Sequence, residues 1–98
     1  MTGFVNKVID KDPQAELDYS FDWTTWLDAV GDTISSAVVS ADNGAEVYET
    51  DILGGKVVRA WVRGGTLGAK VSLTCEITTT NTPPRIDDRT VFLKIKER

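Results

Sequence analysis

Side chains that could carry out acid–base or nucleophilic chemistry are scarce in this sequence. The chain contains one cysteine, Cys75, and no histidine, so it lacks the commonest general base and the commonest metal ligand. A cysteine nucleophile needs an accessible, electropositive setting and a base nearby. Cys75 instead occupies an apolar position in an alternating segment, which predicts a buried and inert thiol. We therefore expect no catalytic residue and no enzymatic activity.

Acidic pairs are the other candidates for chemistry, because carboxylates can bind Ca²⁺ or hydrolyse a glycosidic bond. The spacing of the first pair lacks the glycine and the distal glutamate of an EF-hand loop. All three pairs therefore predict solvated surface, and we expect no metal site and no cofactor. The pairs are Asp10 with Asp12, Glu49 with Asp51, and Asp87 with Asp88.

The charge and the first residues of the chain restrict the class of partner. The 98 residues carry a net charge of −4, and the eleven Lys and Arg residues are scattered along the chain. A scattered arrangement argues against binding to the phosphate backbone of a nucleic acid. No segment approaches the ~20 apolar residues of a membrane span, and residues 1–13 lack the apolar run of a signal peptide. We therefore expect neither nucleic acid nor membrane as a partner.

The elements that position these residues are predicted to be strands. Apolar and polar residues alternate in residues 57–63, 70–80 and 90–96, and period two with one polar face is typical of half-buried strands. Asn43-Gly44 predicts a hairpin turn, and no stretch of ten or more residues has helical periodicity. The expected core residues lie on the apolar faces of the predicted strands: Tyr19, Trp23, Ile34, Val38, Ala60, Val71, Leu73, Ile77, Leu93 and Ile95.

Six or seven short strands, separated by turn residues, predict an all-β fold. The spacing is typical of a small antiparallel β-sandwich of the immunoglobulin or fibronectin type III class. Pro13 biases Asp12 to an extended conformation and separates two parts of the chain. Residues 1–12 are predicted to form an N-terminal arm or an edge strand, and residues 13–98 the β-sandwich domain.

Four aromatic residues are concentrated in the segment YSFDWTTW, residues 19–26. Tyr19, Phe21 and Trp23 point the same way on a strand because side chains alternate, so they are expected in the core. Trp26 follows two threonines and is expected in a turn that closes one end of the sandwich. A sugar-binding platform and a protein interface at Trp26 are the two alternatives.

A protein interface is predicted at the N-terminal arm and on the last strand. The arm is too apolar for a solvated tail, and it either pairs with its own domain or adds a strand to a neighbouring subunit. Phe92 lies on the polar face of the last strand beside Lys94, and a lone aromatic there suits an interface. The candidate interface residues are Phe4, Val5, Val8, Ile9, Trp26, Phe92 and Lys94.

Three longer motifs carry a resemblance to a known family. They are DPQAELDYSFDWTTWLDAVGDTISS, VRAWVRGGTLGAKVSLTCEITT and RIDDRTVFLKIKER. In their order and spacing, across about residues 12–97, they resemble the fiber–tail adaptor proteins of tailed bacteriophages. The resemblance implies an immunoglobulin-like structural virion protein without enzymatic activity, which joins tail fibers to the tail or the head–tail junction.

The resemblance also implies partners and a location. The implied partners are other virion tail proteins, namely the fiber, the tail tube or nozzle, and an adaptor or portal ring. Several copies, as a homo-oligomeric ring, are implied as well, assembled in the cytoplasm of the bacterial host. The alternative function is a carbohydrate-binding or accessory β-sandwich module, for which the aromatic segment at residues 19–26 would supply the binding surface.

Overall fold

The computed structural model describes residues 8–96, which form seven strands and one short helix. The strands are β1 (Val8–Lys11), β2 (Leu17–Asp22), β3 (Ile34–Ala41), β4 (Ala45–Leu53), β5 (Val57–Gly64), β6 (Lys70–Thr79) and β7 (Ile86–Ile95), and the helix α1 (Thr24–Val30) lies between β2 and β3.

The strands form two sheets. One sheet has four strands in the order β1-β7-β6-β3, and the other has three in the order β2-β5-β4. All neighbouring strands are antiparallel except β1 and β7, which are parallel. The prediction of an all-β, mainly antiparallel fold with six or seven strands is thus confirmed, and the two-sheet arrangement is consistent with an immunoglobulin-like class.

The core lies between the inner faces of the two sheets. Eight of the ten expected core residues are buried, and Tyr19 is half-buried with its side chain packed against the core. The alternation in β5, β6 and β7 therefore predicted the correct inner faces. The buried members of the expected set are Trp23, Ile34, Ala60, Val71, Leu73, Ile77, Leu93 and Ile95.

Val38 is the tenth expected core residue, and this prediction was wrong: 64% of its surface is exposed. The reason is a β-bulge, because the register of β3 against β6 shifts between Ile34 and Ser36. The bulge inserts one residue and exchanges the two faces of the strand from that point onward. Ala37 and Val39 pack against the core in place of Val38.

Trp26 lies in the helix α1, where a turn was expected. Seven residues are two helical turns, too short for an apolar repeat to be read from the sequence. The carboxylate of Asp22 accepts a hydrogen bond from the backbone N–H of Thr24 at 2.9 Å, and Gly31 ends the helix with φ of +66°. Leu27 of this helix is fully buried in the core.

The Asn43-Gly44 turn connects the two sheets, whereas a hairpin was expected there. β3 pairs with β6 and β4 pairs with β5, so the turn crosses from one sheet to the other. Asn43 and Gly44 both have positive φ, of 50° and 85°, as a tight turn requires. The side-chain amide of Asn43 donates to the carbonyl of Lys70 at 2.7 Å, which fixes the turn to β6.

The loop between β6 and β7 is attached to the domain through the buried carboxylate of Asp32. One carboxylate oxygen accepts from the backbone N–H groups of Thr33 at 2.8 Å and Asn81 at 3.2 Å. The other accepts from the guanidinium of Arg85 at 3.0 Å. Burial alone would raise the pKa of Asp32, but hydrogen bonds, first from the side chain of Thr79 and then from the backbone N–H groups of Thr33 and Asn81, outweigh it and lower the pKa to about 2.

Candidate protein–protein interfaces

The segment at residues 8–11 is paired with the last strand of its own domain. Val8 lies opposite Phe92 in the β1–β7 ladder, and Lys11 lies opposite Ile95. Ile9 is partly buried against the core. The candidate residues Phe4 and Val5 lie outside the described residues.

Lys11 joins this edge strand to the second sheet. Its side chain is fully buried, and its ammonium group donates to the carbonyl oxygens of Asp12 at 2.9 Å and Gly64 at 2.7 Å. Gly64 ends β5 in the three-stranded sheet, so the hydrogen bond to its carbonyl bridges the two sheets. Burial lowers the pKa of Lys11 below 10.5, although the charges of Asp12 and Glu16 oppose this.

Phe92 and Lys94 lie together on the outer face of the four-stranded sheet. Phe92 is half-buried, and the ammonium group of Lys70 stands 5.1 Å from the centre of its ring. Lys94 lies directly opposite Lys70 in the β6–β7 ladder. We call the group the lysine surface; it consists of Lys70, Phe92, Lys94 and Lys96, with Asp10 at its edge.

The lysine surface carries uncompensated positive charge. Like charges that lie directly opposite each other destabilise an antiparallel pair, and Lys70 and Lys94 are such a pair. Lys96 forms an ion pair with Asp10 at 3.3 Å. Three lysines against one carboxylate leave a local net charge of +2. The domain thus presents an aromatic ring among cations that a partner with carboxylates could neutralise.

Trp26 lies apart from the lysine surface. Its ring packs against the ring of Trp23, with the centroids 5.6 Å apart, and Trp26 is half-buried against the core. Trp23 in turn lies under the guanidinium of Arg89, 4.1 Å from the ring centre. Arg89 precedes Lys94 by five positions in β7, a separation of ~17 Å along an extended strand. The candidate residues thus fall into separate places on the domain.

The aromatic segment at residues 19–26 forms part of the core. Phe21 and Trp23 are buried, and Tyr19 and Trp26 are each packed against the core. A sugar-binding platform needs aromatic faces that lie open side by side. The burial of two of the four rings removes that arrangement from this segment.

The sequence did not reveal a second charged surface, on the outer face of the three-stranded sheet. Trp61 lies at its centre, directly opposite Asp18 of β2 on one side and Glu49 of β4 on the other. We call this surface the Trp61 face. Besides Trp61 it contains Asp18, Asp22, Glu46, Tyr48, Glu49, Asp51, Arg59 and Arg63.

A β-bulge in β4 builds one side of the Trp61 face. The register of β4 against β5 shifts between Val47 and Glu49, so Tyr48 and Glu49 both point outward. The guanidinium of Arg63 stands 4.7 Å from the ring centre of Tyr48, which fixes the outward position of that ring. Alternation alone would have placed Tyr48 and Glu49 on opposite faces, and no local sequence pattern marks the bulge.

The two arginines of the Trp61 face are held by carboxylates of the same face. Arg59 stands 5.6 Å from the ring centre of Trp61 and forms an ion pair with Asp51 at 2.9 Å. This hydrogen bond raises the pKa of Arg59. The charges of Asp18 and Glu49 raise the same pKa further, which agrees with their position around Trp61.

The remaining chemical candidates lie away from both surfaces. Cys75 is fully buried, and burial raises the pKa of its thiol to about 11. Within residues 8–96, no group of three or more His, Cys, Asp or Glu side chains is placed to hold a metal ion. In the same range no helix has the length and apolar character needed to cross a membrane.

The fold and these surfaces define a small two-sheet β-protein whose charged and aromatic groups are presented on flat outer faces. Residues 11–94 match the family model of the podophage GP4 fiber-tail adaptor protein gp77, and this match spans most of the 98 residues. The chain therefore belongs to that family of structural adaptor proteins, as the resemblance indicated. The carbohydrate-binding alternative is not favoured by this match. No curated protein matches the chain.

Proposed function

We propose that this protein joins fiber to tail purely through protein–protein contacts of its outer faces, without catalysing a reaction. The observation that carries the proposal is the lysine surface. There Phe92 is presented among lysines that retain a local net charge of +2 after the ion pair of Lys96 with Asp10. An aromatic ring within a rim of charged groups is a common composition of protein interfaces.

The non-enzymatic part of the proposal rests on the chemistry of the buried groups. The thiol of Cys75 is buried, and its raised pKa keeps it protonated near neutral pH. The sequence contains no histidine that could act as its base. Binding is then the whole function, and the outer faces of the two sheets form the contacts.

The proposal extends to the surroundings of the protein. Several copies act in one particle, in contact with the fiber and with proteins of the tail tube or nozzle and of an adaptor or portal ring. They sit at the tail or the head–tail junction and are assembled in the cytoplasm of the bacterial host. Family membership supports the contact with other virion proteins.

The experiment is complementation of a phage that lacks this gene with a Phe92→Ser, Lys94→Glu variant. We expect the fiber content of purified particles to fall at least tenfold, which corresponds to a loss of about 1.4 kcal/mol in one contact. Fiber content is measured by quantitative mass spectrometry of the particles. Both residues lie on the outer face, so the thermal unfolding temperature should change little.

The matched control is Val38→Ser, which changes an exposed apolar residue on the outer face of the same sheet. Particles with this control should carry the normal number of fibers. Normal fiber content in the Phe92→Ser, Lys94→Glu particles would show that the lysine surface is not an interface.

A further inference from the structure

We infer that the Trp61 face of one copy docks on the lysine surface of a second copy. The inference rests on the proposed function to the extent that it takes the lysine surface to be an interface. It adds the identity of the partner, which is the acidic Trp61 face of another copy of the same protein.

The first observation is the opposite charge of the two surfaces. The Trp61 face contains five carboxylates and two guanidinium groups, a net charge of −3, whereas the lysine surface has a net charge of +2. The carboxylates of Asp51 and Glu46 are already paired with Arg59 and Arg63. Asp18 and Glu49, on either side of Trp61, remain to meet the cations of a partner. Surfaces of opposite potential attract each other and fix the register of docking.

The second observation is the kind of residue at each centre. Trp, Tyr and Arg are the residues most enriched among those that dominate binding energy, and the Trp61 face contains all three types, with Arg59 against Trp61 and Arg63 against Tyr48. Phe92 supplies the matching aromatic ring on the lysine surface. In the docked pair, the lysines around Phe92 would reach the carboxylates beside Trp61. The positive charge of one surface and the negative charge of the other would then neutralise each other.

The two surfaces lie on the outer faces of different sheets of one sandwich. A contact between them is therefore heterologous, because each copy uses one surface and leaves the other free. Copies would join head to tail, and every added copy would leave one surface free for the next copy. A repeated contact of this kind suits an adaptor present in several copies.

The area of the Trp61 face sets the strength of a single contact. Three strands of six to nine residues, about 4.8 Å apart and ~20–30 Å long, give roughly 400 Å², about half of the ~800 Å² per partner of a standard interface. An isolated pair should therefore be weak. The contact should become effective where several copies are held side by side, so the test belongs in the assembled particle.

The test uses charge reversal at exposed positions of each surface. One variant carries Asp18→Lys and Glu49→Lys, which changes the Trp61 face from −3 to +1. The other carries Lys70→Glu and Lys94→Glu, which changes the lysine surface from +2 to −2. All four side chains are exposed, and circular dichroism with thermal unfolding verifies that each variant is folded.

Each variant is supplied alone, and then both together, to a phage that lacks the gene. We expect incorporation into particles to fall at least tenfold for each variant alone, because both surfaces of a copy then carry the same sign. The mixture should restore incorporation, since the altered Trp61 face of one variant attracts the altered lysine surface of the other, and their two unaltered surfaces also carry opposite charge. A single chain with all four changes should also be incorporated.

The control for total charge is Glu76→Lys with Asp88→Lys. These exposed residues lie opposite each other on the outer face of the four-stranded sheet, away from Lys94. This control should be incorporated normally.

Two outcomes would overturn the inference. Normal incorporation of either variant alone would show that its surface takes no part in a contact between copies. Loss of incorporation that the mixture does not restore would mean that the surfaces bind other virion proteins. In that second case the proposed function would stand, because the lysine surface would still be an interface.

Discussion

Asp32 illustrates how a single residue organises one end of the domain. Its carboxylate joins the start of β3 to the loop between β6 and β7 through bonds to Asn81 and Arg85. These partners lie 49 and 53 positions away along the chain. No local pattern in the sequence could have predicted them, because the contacts exist only after the two sheets have packed.

The lowered pKa of Asp32 predicts a specific pH dependence of stability. The folded value of about 2 lies below the ordinary value of 3.8, so the ionised carboxylate favours the folded state. This contribution is complete above about pH 4 and is lost as the pH falls towards 2. Asp32→Asn should therefore lower the unfolding temperature at pH 6 and flatten its fall between pH 4 and pH 2.

Thermal unfolding followed by circular dichroism at several pH values measures this difference. Asp18→Asn, which changes an exposed carboxylate of β2, is the control and should follow the unaltered protein. A fall of equal steepness in the Asp32→Asn variant would contradict the assigned role of the carboxylate.

At the scale of elements, alternation predicts a strand and its faces as far as the first bulge. The inner faces of β5, β6 and β7 follow from period two because these strands contain no extra residue: the two register shifts of the sheets are insertions in β3 and β4. β3 and β4 each contain a bulge, and a bulge depends on the partner strand rather than on the local sequence. Because bulges cannot be read from alternation, Val38 was assigned to the inner face of β3 and the Trp61 face was overlooked.

The bulge in β3 can be tested through the stability of two alanine variants. Leu73→Ala removes a fully buried side chain from β6 and should lower the free energy of unfolding by about 2–5 kcal/mol. Val38→Ala should change it by less than about 0.5 kcal/mol, as substitutions on the surface usually do. Denaturant unfolding measures both, and a cost of Val38→Ala near that of Leu73→Ala would place Val38 in the core.

At the scale of the whole molecule, the class of protein was accessible from the sequence while the second interface was not. The absence of histidine and the resemblance of the three longer motifs pointed to a structural adaptor, and the family match bears this out. The Trp61 face is assembled from three strands that are distant in sequence. Its net charge becomes visible only when the register of those strands is known.

The pairing of β1 with β7 divides the N-terminal residues into two parts with different roles. Residues 8–11 pair with β7, and Lys11 donates to the carbonyl of Gly64 in the other sheet. We propose that residues 1–7, with Phe4 and Val5, serve contacts with other virion proteins. Deleting residues 1–7 should therefore leave the unfolding temperature almost unchanged and reduce incorporation into particles at least tenfold.

Deleting residues 1–11 serves as the comparison, because it also removes β1 and the buried ammonium of Lys11. Two partly buried carbonyl groups, those of Asp12 and Gly64, then lose their hydrogen bonds, at a cost of up to about 1 kcal/mol each, and the pairing of β1 with β7 is lost as well, so this variant should unfold at a clearly lower temperature. Thermal unfolding separates the two variants, and quantitative mass spectrometry of particles measures incorporation. Normal incorporation of the variant without residues 1–7 would mean that the contacts of the N-terminal arm are dispensable, and the adaptor would then bind through its outer faces alone.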